Sequence, residues 1–79
     1  MKIFVKTLTG KLIDLLVNEN NTVTQTLLQV LGKDEELAEL VEEDPVRLVY
    51  KGIYLEDKKT LGNYGITHMA VLNMIYKRK

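Results

Sequence analysis

The sequence predicts an α+β domain in which a sheet packs against one helix, and three observations carry this prediction. Residues 2–7 alternate between apolar and polar side chains and are followed by a glycine turn, which indicates a β-hairpin. Residues 23–31 carry an apolar stripe with helical spacing. Strand-like segments return after Pro45 and continue almost to the last residue. A hairpin, a crossing helix and returning strands define an α+β architecture.

The N-terminal hairpin has the most regular pattern in the chain. Its first strand has two faces, which carry Ile3, Val5 and Thr7 on one side and Lys2, Phe4 and Lys6 on the other. Gly10 then takes the positive-φ position of a turn with a G1 bulge. The second strand is expected from Leu12 to Val17, and its core-facing side chains are those of Ile13, Leu15 and Val17.

Two helical segments follow. Thr22 is the expected N-cap of the first, because Gln25 lies three residues later and completes a capping box. Its apolar stripe consists of Val23, Leu27, Val30 and Leu31, and Gly32 is expected to end the helix in a left-handed C-cap. The second segment lies within residues 33–44. Asp34 caps it, Pro45 ends it, and its helically spaced apolar residues are Leu37, Leu40 and Val41.

The remaining strands are shorter. Residues 47–51 predict a third strand that turns at Gly52, and residues 54–55 predict a fourth. Leu61 begins a brief helical turn, and residues 71–76 alternate as the final strand. We find no internal repeat, linker or low-complexity tract, so residues 1–79 are expected to form one domain.

Composition excludes several classes of function. The chain has no cysteine and no serine, and its one histidine, His68, is expected to be a surface bystander. We therefore expect no catalytic residue, no metal site and no cofactor. No apolar run approaches the ~20 residues of a membrane span. Lys2 and Lys6 interrupt the N-terminal apolar residues that a signal peptide would need, so a cytoplasmic or nuclear location is expected.

Charge is balanced overall but unevenly distributed. Seven of the eleven acidic residues lie in one short segment: Asp34, Glu35, Glu36, Glu39, Glu42, Glu43 and Asp44. This segment lacks the spacing and the glycine of a calcium loop. The chain closes with Lys77, Arg78 and Lys79. The pattern indicates either a solvated helix face with a basic tail, or a dipolar domain that presents a basic surface to an acidic partner.

Residues 1–11 closely resemble the N-terminal hairpin of the ubiquitin family, from which they differ only at Lys2. The resemblance resumes in several later motifs, namely Arg47-Leu48-Val49-Tyr50, Leu55-Glu56-Asp57, Thr60-Leu61, Tyr64 and Ile66. It implies the β-grasp fold, a mixed four- to five-stranded sheet packed on one helix. The chain departs from the family at residues 33–44, where a longer acidic segment replaces a proline-containing loop.

The resemblance also implies a binding surface. In this family, partners dock on a small apolar patch of the sheet, and its counterparts here are Leu8, Val49 and Ile75, with Gly52 in the adjoining turn. Asn73 replaces the histidine that completes the patch, and Lys51 replaces a neighbouring alanine. Arg47, Lys51 and Lys77 are expected to orient acidic partner residues. The implied function is a non-catalytic module that docks partner helices or ubiquitin-binding domains.

Strand alternation predicts a second apolar surface. Phe4, Leu12, Leu16 and Val71 are expected to point outward and, with the patch residues, nearly to cover the solvent side of the sheet. We interpret this surface as a contact for self-association or for a partner domain. The alternative is a set of scattered aliphatic side chains on a stable sheet.

Three questions stay open at the level of sequence. A conjugated member of the family needs a Gly-Gly terminus, and no glycine follows Gly65, so we expect a non-conjugated module. Ile53 and His68 stand where the family has two chain-linkage lysines, which favours the same interpretation. An alternative function is contact of the basic tail, residues 76–79, with RNA, against which the zero net charge argues. The other alternative is an engineered ubiquitin-fold scaffold without a natural partner.

Overall fold

The computed structural model describes residues 1–77, without the side chain of Glu43. In that range, the five strands are β1 (Lys2–Lys6), β2 (Leu12–Leu16), β3 (Val46–Tyr50), β4 (Ile53–Tyr54) and β5 (Val71–Tyr76). The helices are α1 (Val23–Lys33), α2 (Glu35–Glu43) and a 3-10 turn at Gly62–Tyr64. The strands form one mixed sheet in the order β2-β1-β5-β3-β4, with β1 and β5 parallel. This arrangement confirms the predicted α+β, β-grasp fold.

The hairpin has the predicted register. Ile3 lies opposite Leu15 and Val5 opposite Ile13, and Gly10 has a φ of 82° in the turn. β2 ends at Leu16, one residue earlier than predicted, although Val17 is still buried. Ile13 is only half-buried, whereas Leu15 on the same face of β2 is buried in the core.

The predicted capping box of α1 is confirmed. The Thr22 Oγ1 accepts a hydrogen bond of 3.1 Å from the Gln25 backbone N–H, and the Gln25 side chain accepts one of 2.9 Å from the Thr22 N–H. α1 buries Val23 and Val30 together with a residue outside the predicted stripe, Thr26. The Thr26 hydroxyl donates to the Thr22 carbonyl at 3.0 Å, so this buried polar group has a partner.

The prediction of a left-handed C-cap at Gly32 is wrong. α1 continues through Gly32 to Lys33, and Gly32 is not among the glycines with positive φ. The C-cap is Asp34, in an extended conformation with a φ of −143°. The same residue is the N-cap of α2. Because the chain passes directly from one helix into the next, it needs no left-handed residue at their junction.

α2 confirms the predicted helical segment and is a full helix of nine residues. The Asp34 carboxylate accepts a hydrogen bond of 3.2 Å from the Leu37 N–H, as an N-cap should. Leu37 is completely buried in the core, Val41 is half-buried, and Leu40 is exposed. α2 therefore contributes one main anchor to the core and leaves most of its acidic residues in solvent.

The turn between β3 and β4 shifts both strands from their predicted positions. Lys51 and Gly52 have positive φ angles of 50° and 79°, the geometry of a two-residue I′ hairpin. Because Lys51 belongs to the turn, β3 ends at Tyr50 and β4 begins at Ile53. β5 has the predicted bounds.

The core lies between the sheet and the two helices. Its buried apolar residues are Ile3, Val5, Leu15, Val17, Val23, Val30, Leu37, Val46, Leu48, Leu55, Leu61, Ile66, Leu72 and Met74. No helix within residues 1–77 has the length and apolar composition needed to cross a membrane.

Candidate protein-interaction surface

The face of the sheet that points away from α1 is called the outer face. Strand alternation directs a defined set of side chains to it: Lys2, Phe4, Lys6, Leu12, Asp14, Leu16, Arg47, Val49, Tyr54, Val71, Asn73 and Ile75. Their neighbours along the strands, such as Ile3, Leu48 and Leu72, are buried on the opposite side. The outer face therefore carries every candidate residue that lies within a strand.

The apolar patch consists of Leu8, Val49 and Ile75. Ile75 lies opposite Arg47 in the β3–β5 pair. Arg47 is two residues from Val49 on the same face of β3, so Ile75 and Val49 are diagonal neighbours. Leu8 lies in the turn after β1, two residues beyond Lys6, which pairs with Asn73 in the parallel register. All three patch side chains are half-buried. The structure thus places Val49 and Ile75 on the outer face, and Leu8 in the turn that follows the neighbouring strand β1.

The predicted charged residues do not form one group. Arg47 lies beside Ile75, and the Lys77 N–H donates to the Pro45 carbonyl at 2.9 Å, so both residues lie at the end of the outer face that carries the patch. Lys51 lies beyond the other end of β3, about 13 Å from Arg47 at the usual strand rise. Its ammonium stands 5.3 Å from the Tyr50 ring centroid. Lys51 and Gly52 therefore border the outer face at some distance from Arg47.

A groove adjoins the patch at its Ile75 end. Arg47, Tyr54, Ile75 and Tyr76 line it, and its volume is about 400 Å³. The Arg47 guanidinium carbon lies 5.3 Å from the centroid of the Tyr54 ring. Tyr54 and Tyr76 were not among the predicted site residues. A two-residue turn at 51–52 pairs Val49 with Tyr54, and that turn is the signal in the sequence that could have identified Tyr54.

The second apolar surface is exposed but not continuous. Leu12 and Leu16 are 59% and 79% exposed, and Asp14 lies between them on the same face. Val71 is also exposed, whereas Phe4, its neighbour in the sheet, is half-buried. The second apolar surface therefore consists of two small apolar areas. One is Phe4 with Val71, and the other is Leu12 with Leu16 on β2.

A polar row separates Leu12, at the edge of the sheet, from the patch. Leu12 lies opposite Lys6, Lys6 lies beside Asn73, and Asn73 lies opposite Val49. Lys6 and Asn73 thus stand between Leu12 and the patch, both exposed to solvent. The expectation of a nearly complete apolar cover is wrong, because the parallel register of β1 and β5 inserts this row.

The strands of the outer face carry more positive than negative charge. Lys2, Lys6 and Arg47 are the basic residues, and Asp14 is the acidic one. Asp14 already has a partner, since the Lys2 ammonium lies 3.8 Å from its carboxylate. The positive charge nearest the patch is therefore not neutralised by an acidic residue of these strands. Arg78 and Lys79 of the predicted basic tail lie outside the described residues.

A β-grasp sheet with an apolar patch on its outer face is the architecture of a ubiquitin-like domain. The model of the ubiquitin family matches residues 3–79, almost the entire chain. The chain therefore belongs to the ubiquitin family. Domains of this family are typically non-catalytic modifiers or modules.

Proposed function

We propose that this domain is a non-catalytic interaction module that docks partner helices, or small helical ubiquitin-binding domains, on Leu8, Val49 and Ile75. The observation that carries the proposal is that half-buried Val49 and Ile75 share the outer face of neighbouring strands, while half-buried Leu8 follows β1, the strand on the other side of β5. An amphipathic helix presents apolar side chains at positions i, i+3 and i+4, and a patch of this kind accommodates two or three of them.

The partner helix is expected to be acidic. Arg47, Lys6 and Lys77 surround the patch, and complementary charge increases the association rate and fixes orientation more than it adds affinity. The patch is small, so the affinity should lie in the roughly micromolar range that is typical of weak interfaces. The surface of Phe4, Leu12, Leu16 and Val71 stays a prediction as a second contact for a partner domain.

The first test replaces Val49 with alanine. Truncation of the central aliphatic residue of a small interface should weaken binding of an acidic amphipathic peptide about tenfold, because the apolar anchor loses its contact. Calorimetric titration measures the affinity, and an amide NMR spectrum checks the fold. The matched control is Leu28→Ala on α1, an aliphatic residue that is 61% exposed on the helix rather than on the sheet.

The outcome of this comparison decides the proposal. Weakened binding for Val49→Ala with unchanged binding for Leu28→Ala supports the patch. An affinity that stays unchanged in Val49→Ala refutes it. An amide titration of the unmodified chain gives an independent map, in which shifts centred on Leu8, Gly52 and Ile75 are the expected result.

A further inference from the structure

We propose that the open edge of β2 is a pairing surface for β2 of a second copy of this chain, and that the Lys33 side chain closes this edge in the monomer. The surface is the backbone of residues 12–16, so it is distinct from the outer face and from the patch. β2 is the first strand in the order β2-β1-β5-β3-β4, and one of its sides therefore has no neighbouring strand. The strand at the opposite edge, β4, has only two residues. Within residues 1–77, β2 is thus the longer of the two edges that another strand could join.

The register of the hairpin determines which backbone groups of β2 point to the open edge. Met1 and Val17 exchange both of their backbone hydrogen bonds, at 2.6 and 2.9 Å. Hydrogen-bonded and non-hydrogen-bonded positions alternate along an antiparallel pair, so Leu15 and Ile13 also bond to β1. The residues between them direct their N–H and C=O groups away from β1, and these residues are Leu12, Asp14 and Leu16.

Lys33, the last residue of α1, covers the centre of this edge. Its ammonium donates a hydrogen bond of 2.8 Å to the Asp14 carbonyl, one of the groups that the register directs outward. A lysine at the edge of a sheet is a common means of preventing another strand from pairing there. An incoming strand has to displace the Lys33 ammonium before it can donate to the Asp14 carbonyl.

The side chains of β2 are complementary to themselves in an antiparallel pair. If Asp14 lies opposite Asp14 of the second copy, each Leu12 lies opposite a Leu16. These two leucines are 59% and 79% exposed in the monomer, and apolar residues at directly opposite positions stabilise a sheet. In this register all three residues are hydrogen-bonded positions, so the N–H and C=O groups of the open edge find partners.

Charge opposes the pairing in the unmodified chain. Two Asp14 carboxylates would face each other, which is unfavourable, although each lies 3.8 Å from the ammonium of its own Lys2. The same symmetry would bring two Lys33 ammoniums together at the Asp14 carbonyls, where they repel each other and occupy the acceptors that the second strand needs. Lys33 therefore blocks the edge both by its charge and by its hydrogen bond.

The interface is small, so a single side chain can determine whether it forms. β2 has five residues, and pairing of one short strand buries less than the about 800 Å² per partner of a standard interface. Association through this edge is therefore weak, and the loss of one blocking lysine has a large effect on it. A second copy is favoured over an unrelated strand, because β2 itself carries the leucine spacing that this edge pairs with.

The experiment compares the unmodified chain with Lys33→Met and Lys33→Arg by sedimentation equilibrium over a series of concentrations. Methionine keeps the aliphatic stem and removes the charged donor, whereas arginine keeps the donor, and all three residues favour a helix similarly. Lys33→Met should dimerise with a dissociation constant at least about tenfold lower than that of the unmodified chain. Lys33→Arg should stay monomeric, as should the matched control Lys58→Met, which changes an exposed lysine outside β2.

Amide hydrogen exchange identifies the surface that associates. In Lys33→Met, the amides of Leu12, Asp14 and Leu16 should exchange more slowly as the concentration rises, because they become hydrogen-bonded only in the dimer. The amide of Leu15 should change little, because it bonds to β1 in both states. Amide spectra establish that each variant is folded.

Two double variants test the register. Lys33→Met with Leu16→Lys should return to the monomer, because the second substitution removes the leucine pairs and adds charge to the edge. Lys33→Met with Asp14→Asn should dimerise about threefold more tightly than Lys33→Met, because the carboxylates no longer face each other. If neither double variant differs from Lys33→Met, the register centred on Asp14 is wrong.

The remaining outcomes decide the proposal. A monomeric Lys33→Met overturns it, and so does a Lys33→Arg that associates as strongly as Lys33→Met. Pairing of the unmodified chain through the same amides would show that Lys33 does not close the edge. Association without slower exchange at Leu12, Asp14 and Leu16 would assign the interface to another surface. If a synthetic strand of alternating Val and Thr slows exchange at these amides while Lys33→Met itself stays monomeric, the edge accepts a different chain and the second copy is the wrong partner.

Discussion

Asp34 is the residue at which the turn of the first hairpin meets α2. Its side chain is only 4% exposed, and each carboxylate oxygen has a partner. One oxygen accepts from the Leu37 N–H at 3.2 Å. The other accepts from the Thr9 hydroxyl at 3.3 Å and lies 3.8 Å from the Lys11 ammonium. The turn that contacts this carboxylate also carries Leu8 of the patch.

Replacement of Asp34 by alanine should lower the free energy of unfolding by about 2 kcal/mol. Loss of an N-cap costs about 1 kcal/mol. The buried N–H of Leu37 also loses its acceptor, and an unsatisfied buried donor costs about 1 kcal/mol or more. Urea denaturation measures the change. Asp34→Asn is the matched control, because an amide oxygen still caps the helix, and it should cost less than half as much. Equal losses in the two variants would contradict the capping role.

The sequence predicted single residues well where local chemistry determines them. The capping oxygens of Thr22 and Asp34 were identified because a cap needs a short polar side chain at a helix start. Thr26 was missed, because its hydrogen bond to a carbonyl four residues earlier leaves no sign in the apolar pattern. Tyr54 was missed as a groove residue for a different reason. Its face depends on whether Lys51 belongs to β3 or to the turn, and a shift of one residue reverses the face.

At the scale of elements, the junction of the two helices shows where local signals compete. A glycine near the end of an apolar stripe predicts a left-handed C-cap, and a following aspartate predicts the start of another helix. Here the aspartate determines the structure, and Gly32 stays in helical conformation. The sequence contained both signals but not their relative strength, because that depends on the burial of Leu37 against the core.

Two glycine substitutions distinguish the helical backbone at Gly32 from the positive-φ turn at Gly52. A Cβ at Gly32 or at Gly52 would meet nothing within 4 Å, so both substitutions report on the backbone alone. Gly32→Ala should raise the free energy of unfolding by about 0.5–1 kcal/mol, because alanine favours the helix and restricts the unfolded chain. Gly52→Ala should lower it by about 1 kcal/mol, because its φ of 79° is unfavourable for a residue with a Cβ. Thermal and urea unfolding measure both. If Gly32→Ala instead lowers the free energy of unfolding, Gly32 adopts the left-handed conformation in solution.

At the scale of the whole molecule, the decisive information is the register between distant strands. Alternation within each strand identified which side chains point outward, but the parallel pairing of β1 with β5 joins residues from the two ends of the chain. That pairing places Lys6 and Asn73 between Leu12 and the patch. A local pattern does not contain this juxtaposition, so the sequence predicted one large apolar surface where the fold has three small apolar regions.

This separation leads us to expect that the chain is monomeric. A standard interface buries about 800 Å² on each partner, which is about 15% of the 5189 Å² surface of this domain. A pair of copies joined through the outer face would have to bury Lys6, which costs free energy unless an acidic group compensates. Self-association through the second apolar surface is therefore disfavoured in the unmodified chain.

Replacement of Lys6 by leucine should remove this barrier. The substitution puts an apolar side chain between Leu12 and Leu8, which lies two residues later in the chain, and so enlarges the apolar surface into the kind that associates. Sedimentation equilibrium should give 9.1 kDa for the unmodified chain and a concentration-dependent rise towards twice that mass for Lys6→Leu. The matched control is Lys58→Leu, an exposed lysine between β4 and the 3-10 turn, which should stay monomeric. A monomeric Lys6→Leu would show that the charge of Lys6 is not what keeps the outer face from pairing. A dimer of the unmodified chain would show that Lys6 does not prevent association.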